Sequence, residues 1–426
     1  MFDLSNNSDA CQDAGNTLPK TVDGRKHGFS DERLERIAPV LKRFVDAGKI
    51  PGTVSLVARK GEVVHFETTG LRDIIQNLPM QKDTLFRLYS MTKPVTAVAA
   101  MILIEQGELR LDDPVWNFLP AFKEMSVFTG IRDGNVTSEP ANSAITIRHL
   151  LTHTSGLTYD FIPTPVGKLY QDAEISGSSS PQRYKNLEQW TSALAEQPLL
   201  SQPGFEWNYG FGLDVLGRVI EVLTGQGLGE FLEQNIFAPL AMNDTGFWVD
   251  SSRAERFAAL YIPTSEGGMS QIDQAEVSQY LMGTGLEMGG SGLVGTAANY
   301  LQFAHMLLNR GEFGGVRIIA PSSVDMIMSN QLPPSMGEAP LMSLAGPYTA
   351  RAGLGFGLGG YVITDAGLAG LAVSEGTYSW GGAATTHFWV DPQKHLVGMV
   401  MTQLLPDGTY PVVETMMQMT YQALVD

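Results

Sequence analysis

Asp83-Thr84-Leu85-Phe86-Arg87-Leu88-Tyr89-Ser90-Met91-Thr92-Lys93-Pro94 leads from a short apolar run into a stretch dense in Ala, Val, Met, Ile and Leu. Residues 91–105 predict a helix that is apolar almost all round and therefore buried, with Gly107 as its stop. Pro94 falls in the first turn, where a missing N–H costs little. Ser90 and Lys93 form an S-x-x-K pair. At i and i+3 they share one helix face, so the amine reaches the hydroxyl. A serine there also lies at the positive end of the helix dipole, which stabilises an oxyanion. Against this stands an ordinary N-cap serine beside a surface lysine, since two fixed positions match by chance in a long chain. The setting favours chemistry, because this lysine opens an apolar helix and no other lysine has a serine three residues before it.

Working outward, residues 53–58 and 63–68 are β-branched runs around Arg59-Lys60-Gly61-Glu62, a hairpin pattern. Ser30-Asp31 predicts the N-cap of a helix with Leu34, Ile37, Leu41, Phe44 and Val45 on its apolar face. Residues 1–27 are polar and aperiodic, the pattern of a tail. From Asp112 to about Gly290, loops separate modest helices at 213–223 and 228–236, and residues 177–181 predict an exposed loop. Thr296 is an N-cap candidate for a helix to about 309. Strands are predicted at 360–364, 385–390 and 396–403, and a closing helix at 412–424. The expected organisation is an α/β domain split between 28–112 and 292–426, with a mostly helical domain inserted at 113–291.

Composition removes whole classes. The 426 residues are 43% hydrophobic and 17% charged, with a net charge of −17. Such an acidic surface repels phosphate backbones and anionic lipid, so neither nucleic acid nor a membrane is expected as partner. Cys11 is the single cysteine, which excludes an internal disulfide and multi-cysteine metal sites. Residues 1–7 have neither a basic nor an apolar signal region, and no run approaches the ~18 apolar residues of a spanning helix. A cytoplasmic location is the expectation.

Rival motifs weaken on inspection. His149 and His153 lie at i, i+4, but Leu150 stands where a zincin needs Glu, and the surrounding turn residues favour a structural role. A triad of His387 or His395 with Asp391 would want a G-x-S-x-G elbow, and no serine is so flanked. Residues 290–295 and 355–360 both match G-x-G-x-x-G in a chain of 46 glycines, and neither opens a helix within a βαβ unit. Met282, Met288 and Phe356 read as core or as acyl-pocket wall.

Residues 83–94 resemble the serine-hydrolase superfamily of penicillin-binding proteins and class C β-lactamases, and within it most resemble the family VIII carboxylesterases. His149-Leu150-Leu151-Thr152-His153-Thr154-Ser155-Gly156-Leu157, Pro203-Gly204-Phe205-Glu206-Trp207-Asn208-Tyr209, residues 236–242 and Trp380-Gly381-Gly382 follow in the family's order. The resemblance runs from about residue 28 to the end. It implies an α/β, β-lactamase-like fold with an antiparallel sheet flanked by helices. It further implies Ser90 as acylated nucleophile, Lys93 as its partner and Tyr209 as the second-motif tyrosine. Trp380, Gly381 and Gly382 stand where β-lactamases carry K-T-G, and the N–H groups of Ser90 and Ala383 would form the oxyanion hole.

Two departures bear on substrate. Phe211 occupies the position of the β-lactamase asparagine, and Trp380 replaces the lysine that helps hold a lactam carboxylate. Both favour neutral or less polar esters over lactams, with side activity on β-lactams still in range, and short acyl chains are expected. A phenol acting as base at neutral pH must gain about 4 kcal/mol, and one ammonium about 4 Å away supplies roughly that at an effective dielectric of 20. The alternative is a desolvated neutral Lys93 as base. The expected activity is hydrolysis of a small-molecule ester without cofactor or metal, the oligomeric state being left open. A β-lactamase, a D-Ala-D-Ala peptidase and an acyltransferase share the same residues.

Overall fold

The computed structural model describes residues 18–177, 183–283, 286–336 and 352–426. The loop expected at 177–181 falls, beyond Gly177, outside the described residues, as does Cys11. The β-branched runs form strands β1 (Gly52–Arg59) and β2 (Glu62–Asp73), joined through Lys60 and Gly61 at φ 52° and 86°. Two successive left-handed residues match the right-handed twist of a hairpin. Then come β3 (Leu78–Pro79), β4 (Leu354–Phe356), β5 (Tyr361–Ile363), β6 (Tyr378–Gly382), β7 (Thr386–Asp391) and β8 (Leu396–Met401). They form one sheet in the order β4-β5-β6-β7-β8-β1-β2-β3, each neighbouring pair antiparallel. β1, β7 and β8 are buried along their whole lengths, as strands covered on both faces are.

The helices that matter to core and site are α1 (Ile37–Asp46), α2 (Thr92–Glu105), α3 (Ile147–Leu151), α4 (Gly212–Thr224), α5 (Ala297–Leu308) and α6 (Val412–Tyr421). α1 and α6 pack on each other and on the sheet, and α5 packs on β7 and β8. Thr296 caps α5 as expected, its side chain accepting from the Asn299 N–H at 3.1 Å. The first helix breaks in two: a turn at Asp31–Leu34 precedes α1, and the Ser30 side chain makes no capping bond. Residues 18–27 are tied down in part, Val22 N–H bonding Val63 O at 2.8 Å.

The segment between α2 and α5 carries two hairpins as well as helices: Ser126–Arg132 with Asn135–Pro140, and Leu260–Pro263 with Met269–Asp273. The expected helix at 228–236 is a turn at Leu228–Leu232 followed by a wider π-helical turn at Glu233–Phe237. Among the described residues no helix is long and apolar enough to cross a membrane.

Candidate active site

The segment before Ser90 is locked from three sides. Phe86–Arg87 pairs with Val294–Gly295. The fully buried Arg87 guanidinium bonds Asp273 Oδ2 at 2.7 and 3.0 Å and Ala258 O at 2.6 Å, and lies 4.0 Å from the centre of the Phe257 ring. The Gln403 side chain accepts from Arg87 N–H and donates to Arg87 O. Ser90 then sits in a 3₁₀ turn, Tyr89–Met91, one step ahead of α2. Tyr89 takes φ 45°, a left-handed conformation that a bulky residue adopts only under constraint.

Lys93 lies in the first turn of α2 and is fully buried. Its Nζ donates to Ser90 Oγ at 3.0 Å and to Gly290 O at 2.7 Å. The same Nζ lies 4.7 Å from the centre of the Tyr209 ring and 5.2 Å from that of Tyr159. Two ring faces and a carbonyl oxygen are surroundings that suit an ammonium.

Tyr209 comes from a loop with no helix or strand of its own, and its hydroxyl donates to Ser90 Oγ at 2.6 Å. Backbone bonds stitch that loop to the turn after α3: Asn208 N–H to His153 O and Gly204 N–H to Thr154 O, both 2.7 Å. Asn208 Nδ2 also donates to Ser201 Oγ at 2.7 Å. Gly156, at φ 83°, lies so close to Ser201 O that a β-carbon would overlap it. His153 is buried edge-on beneath Tyr209, ring centres 4.8 Å apart, and its Nδ1 accepts the Gly210 N–H at 3.4 Å. Burial first, and the charge of Lys93 second, hold its imidazole well below the usual range and thus neutral. His149 instead joins the capping box at Thr146.

β6 closes the third side. A β-carbon on Gly382 would overlap Leu88 O, so the strand end meets the Ser90 turn backbone to backbone, and Thr386 Oγ1 also donates to Leu88 O. Ala383 follows directly; its carbonyl is held by Asp407 N–H at 2.7 Å. Trp380 is buried edge-on to Tyr209, Phe356 and Tyr361, with ring centres 5.6, 5.3 and 6.0 Å away. Gly381 is half-buried opposite His387 in the β6–β7 ladder.

Phe211, expected at the substrate, is completely buried against Tyr159, Tyr170 and Trp190, so it backs the site from beneath. Of the pocket candidates, Met288 and Phe356 are buried and Met282 is exposed. His387 bonds Ser379 Oγ at 2.8 Å, while Asp391 accepts from the Tyr421 hydroxyl, so the two do not form a triad.

Two participants escaped the sequence reading. Tyr159 shares the Lys93 ammonium with Tyr209, their rings 4.9 Å apart. Asp214, fully buried in the first turn of α4, accepts the Gly290 N–H at 2.7 Å. Its signal was present: a lone carboxylate in the apolar run Leu213-Asp214-Val215-Leu216.

A family model described as Beta-lactamase matches residues 37–416. The chain is 34% identical to Protein Rv1367c of Mycobacterium tuberculosis (strain ATCC 25618 / H37Rv) over 382 residues, 86% of this chain and 89% of that protein. It is 32% identical to Esterase EstB of Burkholderia gladioli over 390 residues, 88% of this chain and 91% of that one. Among solved structures, EstCE1, described as a hydrolase with promiscuous acyltransferase activity, matches with a TM-score of 0.78 at 30% identity, covering 92% of this chain and 99% of that chain. The chain therefore belongs to the Beta-lactamase family and, within its serine-hydrolase superfamily, to the family VIII carboxylesterases, enzymes that act on esters.

Proposed function

We propose that this enzyme hydrolyses short-acyl carboxylic esters through an acyl-enzyme on Ser90. One observation carries the reading: Ser90 Oγ receives both the Tyr209 hydroxyl at 2.6 Å and Lys93 Nζ at 3.0 Å. In the reactive form Tyr209 has released its proton to solvent beside the Lys93 ammonium, and Ser90 Oγ attacks the ester carbonyl as its own proton passes along the 2.6 Å contact to that phenolate. The N–H groups of Ser90 and Ala383 receive the tetrahedral oxyanion. Collapse breaks the ester C–O bond, and Tyr209 returns the proton to the departing alkoxide. Water then attacks the acyl carbonyl, its proton again going to Tyr209. Ser90 leaves with that proton, and the acid is released. Trp380, Gly381 and Gly382 line the substrate's side of the cleft. With tryptophan in place of a carboxylate-binding lysine, neutral esters are preferred to β-lactams.

The test is turnover of p-nitrophenyl butyrate beside a chromogenic cephalosporin. Ester turnover far above cephalosporin cleavage is expected, abolished in Ser90→Ala. Intact turnover in that variant, or a preference for the cephalosporin, sinks the reading. A second reading, acyl transfer to an alcohol, draws on the description of EstCE1. It predicts that an added primary alcohol diverts acyl groups from acid to a new ester.

A further inference from the structure

We infer that Asp214 is the buried counter-charge of Lys93, acting across the backbone of Gly290 to keep the ammonium aimed at Ser90 Oγ. The inference rests on the Ser90, Lys93 and Tyr209 reading above. Among the described residues no carboxylate lies within ion-pair distance of Lys93 Nζ, although the side chain is fully buried. An isolated ammonium in such a place is costly unless an opposite charge is near. Asp214 supplies one. It is equally buried, and it stands in the first turn of α4, where the helix dipole favours negative charge.

Gly290 joins the two. Its N–H donates to Asp214 Oδ1 and its carbonyl accepts from Lys93 Nζ, each at 2.7 Å. A side chain at 290 would overlap the carboxylate, so the approach requires glycine. Tyr159 spans the same gap from the segment after α3, its ring over Lys93 and its hydroxyl toward Asp214. Among the described residues, Lys93 and Tyr159 are the titratable groups that act on Asp214 from neighbouring elements, and Tyr209 and Asp160 act in turn on Tyr159. On its own helix, Arg218 pairs with Glu221 and Glu188. Burial raises the Asp214 carboxyl to about 6 against the opposing pull of Lys93. The counter-charge is thus lost when the medium turns mildly acidic. Asp214 touches no substrate; it is a positioning residue.

The experiment is the pH profile of kcat/KM for p-nitrophenyl butyrate in the wild type and in Asp214→Asn, whose amide oxygen can still accept the Gly290 N–H. The wild type should lose activity on the acid side with a midpoint near 6. The variant should be roughly 10- to 100-fold slower at pH 8, the scale of one charge lost at a few ångströms, and flat across that acid range. A variant that keeps the wild-type acid limb, or runs within twofold of wild type at pH 8, overturns the assignment. Thermal unfolding checks the fold of the variant. Independently of any variant, the rate at which a fluorophosphonate labels Ser90 in the wild type should fall through the same midpoint, and a pH-independent rate also overturns it. Failure of the probe to label Ser90 would instead strike at the nucleophile reading.

Discussion

The two halves of the proposed catalytic group are built by different means. Ser90 and Lys93 come from regular structure: a paired strand, a 3₁₀ turn and a helix whose residues 92–103 are all buried. Tyr209 comes from a loop held by backbone bonds to another loop, with glycines and a left-handed His153 at the contact points. The first half draws its precision from the core; the second draws it from a few hydrogen bonds and close approaches. Changes behind the nucleophile should therefore register as lost stability. Changes around the tyrosine should register as lost rate.

The largest expected effect is Tyr209→Phe, which removes the proton carrier and leaves the ring. It should lower kcat by about 10²- to 10⁴-fold with little change in unfolding temperature, and a loss under tenfold would give the base role to Lys93. Next is Arg87→Met, which removes the cation paired with Asp273 and the side-chain donor to Ala258 O. Denaturant unfolding should show a loss of about 2–3 kcal/mol, below that of a fully buried pair because Asp273 is partly exposed. If instead stability holds and kcat alone falls, the contrast between the halves fails on the nucleophile side. The smallest is Asn208→Ala, which leaves Ser201 Oγ without its 2.7 Å donor. It should cost about 1–2 kcal/mol and lower kcat a few-fold by loosening the Tyr209 loop; unchanged kcat would mean the backbone bonds suffice.

The same contrast governs what could be read from the chain. β1, β2, α2 and α5 were legible because they carry β-branched runs, continuous apolar stretches or a capping threonine. β6 was not, because Gly381 and Gly382 have poor strand propensity; Gly382 lets the backbone pass close to Leu88, and Gly381 leaves room for the His387 ring. The hairpin at Ser126–Arg132 and Asn135–Pro140 is largely exposed and shows no buried face to alternate with. For the site, residue types and motif order pointed to Ser90, Lys93 and Tyr209, and the fold places the polar atoms of the latter two within 3.0 Å of Ser90 Oγ. Phe211 turns into the core, and position beside a motif does not say which way a ring turns. Asp214 was passed over because its partner is a backbone group, and backbone partners leave no trace in residue type.

The pairing of β1 with β8 has a consequence for the cell that makes this enzyme. Val54 meets Met401 across the centre of the sheet, so the partner edge of an early-made strand arrives about 350 residues later. At about 5–20 residues per second of synthesis, that is on the order of 20–70 seconds. Throughout that interval a hairpin whose first strand is buried end to end in the finished fold waits with an open edge, the kind of surface that captures other chains. Yield should therefore depend on holdase chaperones and on growth temperature more than the finished protein's stability would suggest. The proposed esterase activity, which draws on segments near 90, 209 and 383, would then serve as an assay of completed folding.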